Sequence, residues 1–264
     1  MELNITFWIF AFIFGLVVGS FINVVVWRLP REQSIIYPSS HCPKCKNPIA
    51  WYDNIPIISF LLLKGRCRHC GERISLRYPV IELISGFLSI ICWWCFGMSV
   101  WFFVYYAFLC ALFIASVIDL EHRLIPDEIS ISGAVIGVGL AFIPNSKITP
   151  LNAIIGAGAG FLVIFLVAEL YYIFTKREGM GLGDAKLLAM IGAFLGWRSL
   201  WLVIFLGSLL GIIFGLMAIL MKGEGRFYKI PFGPFLSFSA FIYFLIWSGK
   251  IKIHLPILKP VLGI

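Results

Sequence analysis

Charged residues are scarce in this chain of 264 residues. Only 13% of them are Asp, Glu, Lys or Arg, against roughly 25% in a typical soluble domain, whereas 61% are hydrophobic. A water-soluble protein of this size could not cover so much apolar surface. The composition therefore excludes an ordinary soluble domain and predicts an all-α polytopic membrane protein, because spanning helices satisfy their backbone polar groups internally.

Basic residues are missing from the N-terminal segment, where Glu2 is the only charge before Arg28. A secretory signal peptide begins with a basic region and has a shorter apolar core than the run from Ile5 to Trp27. We therefore interpret 1–27 as a retained first transmembrane helix. A Rossmann-type glycine loop following a strand is also missing, so the sequence offers no familiar nucleotide-binding motif.

Apolar runs are abundant and predict about eight transmembrane helices. Two runs, 129–143 and 185–197, are short for a full crossing, so they extend into polar flanks, tilt or stop part-way. The eight runs are 5–27, 78–96, 100–118, 129–143, 152–174, 185–197, 200–221 and 231–248.

The net charge of +8 indicates an orientation in the membrane rather than a nucleic-acid partner. If the N-terminus lies outside and each run crosses once, 16 Lys and Arg fall on the inner side and 5 on the outer side. This split follows the positive-inside rule. The predicted organisation is a first helix at 1–27, a cytoplasmic loop domain at 28–77 and a membrane-embedded domain at 78–264.

Four cysteines form two CxxC pairs in the loop domain, separated by 21 residues. Two such knuckles bring four thiolates into a tetrahedron, which predicts a zinc-ribbon-like site. Four protein ligands leave no open position, so the Zn²⁺ is structural. His41 and His69 are alternative ligands, and disulfides or idle thiols are the plainer alternative, which a reducing cytoplasm disfavours. The cysteines are Cys42, Cys45, Cys67 and Cys70.

Two aspartates stand at the inner ends of apolar runs and are the candidate catalytic pair. Asp119 closes the run 100–118, and Asp184 opens the run 185–197, so the topology places both at the same membrane boundary. Ionisable groups at such places are costly and indicate function. Two carboxylates that share a site cannot easily both ionise, so one can activate water while the other protonates a carbonyl.

Other residues near the pair have either a supporting or an ordinary role. Gly181 and Gly183 lack a Cβ and would let a substrate backbone approach Asp184. Asp127 is interpreted as the N-cap of the next span. Glu169 lies deep in a span with no partner that the sequence identifies, and Glu82 either caps a helix or pairs with Arg73 or Arg77. The triplet Gly156, Gly158 and Gly160 has the spacing of close helix packing.

These motifs, in this order, closely resemble the bacterial prepilin leader peptidases, which are bifunctional type IV prepilin peptidase/N-methyltransferases. The resemblance covers nearly the whole chain and includes Asp119 with Pro126 and Asp127, and the GxGD motif Gly181 to Asp184 followed by Lys186. It also includes the four cysteines, the segment Gly19 to Pro30, the segment Tyr52 to Pro56 and the segment Ile74 to Pro79 with Glu82.

The resemblance implies an aspartyl endopeptidase of the bacterial inner membrane with Asp119 and Asp184 as its dyad. Such enzymes cleave the basic leader of prepilins and pseudopilins after a glycine at the cytoplasmic face. Many then methylate the new N-terminus with S-adenosylmethionine. Tyr52, Asp53, Asn54 and Glu82 are candidates for that second site. Membrane lipid is an expected partner, and nucleic acid is not.

Two other functional classes fit part of the pattern. An ion-coupled transporter would use Glu169 near the midplane and the short, glycine-interrupted spans. A non-catalytic assembly scaffold for pili or secretion would keep the fold alone. The depth of the carboxylates separates the first of these from a protease, because transporter sites lie near the midplane and Asp119 and Asp184 lie at the inner boundary.

Overall fold

The computed structural model describes residues 5–176, 181–222 and 231–250. Within these ranges the regular structure is helical, with two isolated antiparallel bridges and short 3-10 helices at Leu29–Arg31 and Trp51–Asn54. The α-helices are α1 (Ile5–Arg28), α2 (Ile58–Leu62), α3 (Arg77–Phe96), α4 (Val100–His122), α5 (Asp127–Leu140), α6 (Pro150–Thr175), α7 (Leu182–Leu195), α8 (Ser199–Lys222) and α9 (Gly233–Trp247).

Each of the eight apolar runs becomes a helix, so the predicted all-α membrane architecture is confirmed at that level. Within the described ranges five helices, α1, α3, α4, α6 and α8, are long and apolar enough to span a bilayer, and α9 is a shorter apolar helix. The multi-pass membrane character follows from these helices. The number of crossings and the orientation of the N-terminus stay predictions.

The chain divides into two compact units, 1–110 and 111–264, and the boundary falls within α4. In the first unit, α1 and α3 pack backbone to backbone. A Cβ on Gly15 would lie 2.7 Å from Gly86 Cα, and one on Gly19 would lie 2.6 Å from Glu82 Cα. Glycine is therefore required at both positions for the close approach of the two helices.

The second unit is built around α7, which is buried from Leu187 to Leu195. A Cβ on Gly156 of α6 would lie 2.2 Å from the carbonyl oxygen of Gly192, and a Cβ on Gly160 would lie 2.6 Å from that of Leu188. The predicted small-residue packing is confirmed for these two glycines, whereas Gly158 faces open space. At about 1.5 Å per residue, the 14 residues of α7 span less than a bilayer.

Two sequence interpretations need correction. Asp127 is the first residue of α5, and its N-cap is Pro126, which makes no side-chain hydrogen bond. Asp127 therefore does not cap the helix. Glu169 lies within two turns of the end of α6 at Thr175 and is exposed, so it is not near the middle of a span. This position removes the midplane carboxylate on which the transporter hypothesis depended.

Candidate functional site

Asp119 lies in the last turn of α4, where the helix ends because the chain turns left-handed. Arg123 has φ 55°, and its N–H donates to the carbonyl oxygen of Asp119 at 2.9 Å. Such a residue stops a helix and satisfies one of its last carbonyls. Asp119 itself is only 5% exposed, although it is a carboxylate. The turn thus leaves an acidic side chain buried at the end of a long apolar helix.

The carboxylate of Asp119 is held by the first residue of α9. The N–H of Gly233 donates to Asp119 Oδ2 at 2.9 Å, in a buried hydrogen bond across 114 positions of sequence. The first N–H groups of a helix have no partner within the helix, and a carboxylate is a favourable acceptor for them. Asp119 therefore caps a helix to which it is not adjacent in the chain.

Asp184 lies in the first turn of α7, and only 8% of its surface is exposed. Gly181 is the N-cap of α7, and the Asp184 carboxylate accepts a hydrogen bond from the Gly181 backbone. This arrangement is similar to a capping box, in which the third helical residue reaches back to the N-cap. The carboxylate of Asp119 lies close enough to act electrostatically on Asp184.

Ile125 packs near Gly183 and Gly233, the glycines beside the two aspartates, and was not predicted from the sequence. A Cβ on Gly183 would lie 3.1 Å from Ile125 Cβ, and a Cβ on Gly233 would lie 3.0 Å from Ile125 Cδ1. Ile125 is 8% exposed. One apolar side chain therefore packs against the glycine beside Asp184 and the glycine beside Asp119.

The sequence gives one weak indication that a helix starts at Gly233, because this residue precedes a proline at the start of an apolar run.

The residues predicted to support Asp184 have distinct surroundings. Gly183 packs against Ile125 as described, whereas a Cβ on Gly181 would meet Asp184 Oδ2 only at 3.7 Å. Lys186 points its Nζ at both carboxylate oxygens of Asp127, at 2.7 and 2.8 Å. This ion pair joins the first turns of α7 and α5. The ion pair explains the location of both charges. The sequence had not indicated that these two residues are partners.

The four cysteine sulfurs converge in the loop of the first unit. Their Sγ atoms all lie within 4.8 Å of one another, with Cys42 and Cys70 at 3.8 Å and Cys45 and Cys67 at 4.0 Å. A tetrahedral zinc with Zn–S bonds of about 2.3 Å requires sulfurs roughly 3.8 Å apart. The four thiols therefore fit Zn²⁺. Among the described residues, they are the group of side chains that could hold a metal ion.

The two knuckles repeat one backbone design. The N–H of Cys42 donates to Asn47 O at 2.9 Å, and the N–H of Cys67 donates to Glu72 O at 2.8 Å. In each knuckle the residue after the second cysteine is left-handed, with φ 58° at Lys46 and 70° at Gly71. Each design thereby reverses the chain within six residues, which turns both thiols of a pair toward the same point.

Electrostatic features of the knuckles also suit a cation. Backbone N–H groups of Cys70 and His69 lower the pKa of Cys67 to about 6, which favours the thiolate that binds metal, whereas burial and the neighbouring thiols raise the pKa of Cys70. Lys44 of the first knuckle forms an ion pair with Glu72 of the second. This pair connects the two knuckles at the surface of the loop.

Of the predicted methyl-donor residues, Tyr52, Asp53 and Asn54 lie in the 3-10 helix Trp51–Asn54, and Glu82 lies in α3. Arg68 holds both oxygens of Asp53, at 2.7 and 2.6 Å, and lies over the Tyr52 ring at 5.5 Å. The hydrogen bond from Arg68 lowers the pKa of Asp53, so this carboxylate stays ionised at neutral pH. The rings of Trp51 and Tyr52 are 81% and 50% exposed.

Of the two alternatives for Glu82, the structure favours a contact at a helix start, because Ile57 is the N-cap of α2. Glu82 is 8% exposed in α3, and its Oε2 accepts the N–H of Ile57 at 2.8 Å. Ile57 has φ 60° and ψ −49°, an uncommon conformation for a β-branched residue. Glu82 therefore anchors a strained backbone position next to the segment Tyr52 to Asn54, and the pairing with Arg73 or Arg77 is replaced by this contact.

The arrangement around Asp119 and Asp184 has the groups that acid–base chemistry needs. Both carboxylates are buried, each accepts a backbone hydrogen bond at the start of a helix, and the charge of Asp119 acts on Asp184. Two neighbouring carboxylates with unequal surroundings can divide the roles of base and acid.

Comparisons with known proteins agree on one family. A model of the bacterial peptidase A24 N-terminal domain matches residues 13–96, and a model of the type IV leader peptidase family matches residues 106–216. No solved structure matches the chain. The resemblance that the motifs indicated is confirmed.

Three curated relatives carry the name prepilin leader peptidase/N-methyltransferase. The protein from Myxococcus xanthus is 40% identical over 224 residues, which cover 83% of this chain and 65% of that protein. The protein from Aeromonas salmonicida is 37% identical over 273 residues, 91% of each chain. The protein from Neisseria gonorrhoeae is 36% identical over 260 residues, 89% of this chain and 88% of its own.

Proposed function

The chain belongs to the type IV leader peptidase family, and on that premise we propose that it cleaves the leader peptide of type IV prepilins or pseudopilins. Asp119 and Asp184 are the catalytic dyad. One carboxylate takes a proton from water, and the resulting hydroxide attacks the carbonyl carbon of the scissile peptide. The other carboxyl protonates the carbonyl oxygen. On collapse of the tetrahedral adduct, the first carboxyl gives its proton to the leaving nitrogen, the second takes back the hydroxyl proton, and the amine departs.

The observation that carries this proposal is the burial of both carboxylates, with the charge of Asp119 acting on Asp184. A carboxylate removed from water is expensive, so its presence in an apolar chain favours a catalytic role. The backbone donors at the starts of α7 and α9 keep each side chain in place. Gly181 leaves space for a peptide backbone beside Asp184, because a Cβ there would meet Asp184 Oδ2 only at 3.7 Å, whereas the space at Gly183 is filled by Ile125.

The site is placed at the cytoplasmic face in this proposal. If the N-terminus lies outside the membrane, α4 runs inward and has Asp119 in its last turn. The helices α7 and α9 then run outward and begin at the same boundary. The contact between Asp119 and Gly233 supports this alternation, because it brings the end of α4 to the start of α9. Labelling of single cysteines at Lys147 and Arg123 with an impermeant maleimide tests it, and only Lys147→Cys should react in intact cells.

The loop domain, 28–77, binds a structural Zn²⁺ through its four cysteines and contributes the N-methyltransferase activity. S-adenosylmethionine supplies an electrophilic methyl group to the new N-terminal amine when it is bound. The exposed rings of Trp51 and Tyr52 fit a planar or cationic ligand. Arg68 already donates to both oxygens of Asp53, so Asp53 fits a role in orienting this segment rather than in direct contact with the ligand. Glu82 supports this segment through Ile57, and Asn54 ends its 3-10 helix.

Mass spectrometry of a prepilin peptide incubated with the purified protein in detergent tests both activities. We expect a break after the glycine and, with S-adenosylmethionine added, one extra methyl group on the new N-terminus. Asp119→Asn and Asp184→Asn should each lower the cleavage rate on the order of 10³-fold, since each removes an acid–base group. Wild-type cleavage by either variant, at normal protein level, would refute the dyad.

A further inference from the structure

The start of α9 contacts the carboxylate of Asp119, and the sequence predicts no role for it. Gly233 is the first residue of the helix, and it donates its N–H to Asp119 Oδ2 at 2.9 Å. The next residue, Pro234, has no N–H to satisfy. Phe235 and Leu236 both donate to the carbonyl oxygen of Phe232, at 3.1 Å. The Gly233 N–H is thus the one directed at Asp119.

Space at this contact also requires glycine. A Cβ at position 233 would lie 2.8 Å from Asp119 Oδ2 and 3.0 Å from Ile125 Cδ1. Gly233 does not have a positive φ, so its backbone conformation is one that any residue adopts. The reason for glycine here is therefore steric: a side chain would displace the carboxylate or the whole helix end.

The helix that supplies this donor is anchored well away from the site. Leu236, Ala240 and Phe244 of α9 are fully buried, and a Cβ added to Gly207 of α8 would lie 3.4 Å from Leu236 Cδ2. A helix held along its length fixes the direction of its first N–H. The carboxylate that accepts this N–H is fixed in turn, so the position of Asp119 depends on α9.

We propose that Gly233 is a positioning residue for the cleavage reaction, which sets the location of the Asp119 carboxylate through its N–H and through the absence of a side chain. This inference rests on the proposed function of Asp119. Gly233 takes no proton and touches no substrate in this role. It determines whether Asp119 stands where it can share a water molecule and a proton with Asp184.

The test is the variant Gly233→Ala, assayed for steady-state cleavage of the prepilin peptide. A catalytic group misplaced by about 1 Å can lose roughly 100-fold in rate, so we expect kcat to fall by that order. KM should stay within about twofold, because binding of the peptide does not use this group. Gly207→Ala and Gly139→Ala are the matched controls: the first touches α9 at 3.4 Å, the second faces open space, and both should retain wild-type kcat.

A rescue experiment separates positioning from a general loss of structure. Ile125→Val removes the Cδ1 atom that lies 3.0 Å from the added Cβ, so the new methyl group could shift away from Asp119. The double variant Gly233→Ala/Ile125→Val should recover roughly tenfold of the lost kcat, as coupled neighbours do. A merely destabilising effect would make the double variant worse than either single one and would lower its melting temperature further.

The outcomes distinguish this inference from the proposed function. If the wild-type protein cleaves the peptide and Gly233→Ala keeps its kcat, the inference is wrong and the dyad is unaffected. If Gly233→Ala and Gly207→Ala lose kcat and melting temperature together, Gly233 has only a structural role and the inference is again wrong. If the wild-type protein and all variants fail to cleave, the proposed function itself fails.

Discussion

The cysteine loop and the aspartate site are built in opposite ways. Each knuckle of the loop closes within six residues through its own backbone hydrogen bonds, and two such knuckles supply all four sulfurs. The aspartate site takes its groups from the ends of α4, α7 and α9, with 114 positions between Asp119 and its donor. Local turns make the first site, and helix packing makes the second, so perturbations should affect them separately.

Zinc removal should have the largest effect and should be confined to the loop. Structural zinc contributes roughly 10 kcal/mol or more to folding in small zinc domains, so Cys45→Ser or a strong chelator should unfold the loop. We expect bound zinc to fall from one per chain to none, protease sensitivity to appear within 28–77, and methyl transfer to stop. Leader cleavage should persist, since neither aspartate belongs to this unit. If leader cleavage were lost together with zinc, the two sites would not be independent of each other.

The reverse perturbation is Gly192→Ala in α7. Its Cβ would lie 2.1 Å from the carbonyl oxygen of Gly156, a backbone atom that cannot swing aside. Overpacking of this kind costs about 3 kcal/mol or more, so the melting temperature and leader cleavage should both fall. Zinc content should remain one per chain. Gly158→Ala, which meets nothing within 4 Å, is the control and should melt as the wild type does.

The Lys186–Asp127 pair sharpens the comparison within the aspartate unit. Lys186→Met removes the ion pair between the first turns of α5 and α7, and we expect roughly a tenfold loss of kcat through a small shift of Asp184. The charge-reversed double variant Asp127→Lys/Lys186→Asp should recover part of that loss. Equal activity of the single and double variants would show that the pair does not position α7.

The smallest predicted effects compare the two knuckles with each other. Lys46 and Gly71 occupy the same left-handed position, which costs a non-glycine residue about 1 kcal/mol. Gly71→Ala should therefore weaken zinc retention against a competing chelator, whereas Lys46→Gly should preserve or strengthen it. If both substitutions changed zinc retention in the same direction, the two knuckles would not be equivalent.

Sequence reasoning reached the features whose cause is local or compositional. The cysteine pairs were found from their spacing, the helices from apolar runs, and Asp119 and Asp184 from the cost of charge in lipid. It missed Gly233 and Ile125, because a glycine at a helix start and an isoleucine in a turn have no pattern that reveals a distant partner. It also misread Asp127 and left the partner of Glu82 open, because tertiary packing determines their partners Lys186 and Ile57.

Asp119 caps α9, and this has a consequence for biosynthesis. A membrane protein leaves the ribosome from its N-terminus, so α4 and α7 are made before residue 233 emerges. Until then the Asp119 carboxylate lacks its backbone donor, although both acidic residues are already present. The surroundings of Asp119 are thus completed only when α9 has been translated, and a chain truncated before Gly233 would contain both aspartates without the backbone donor that holds the first.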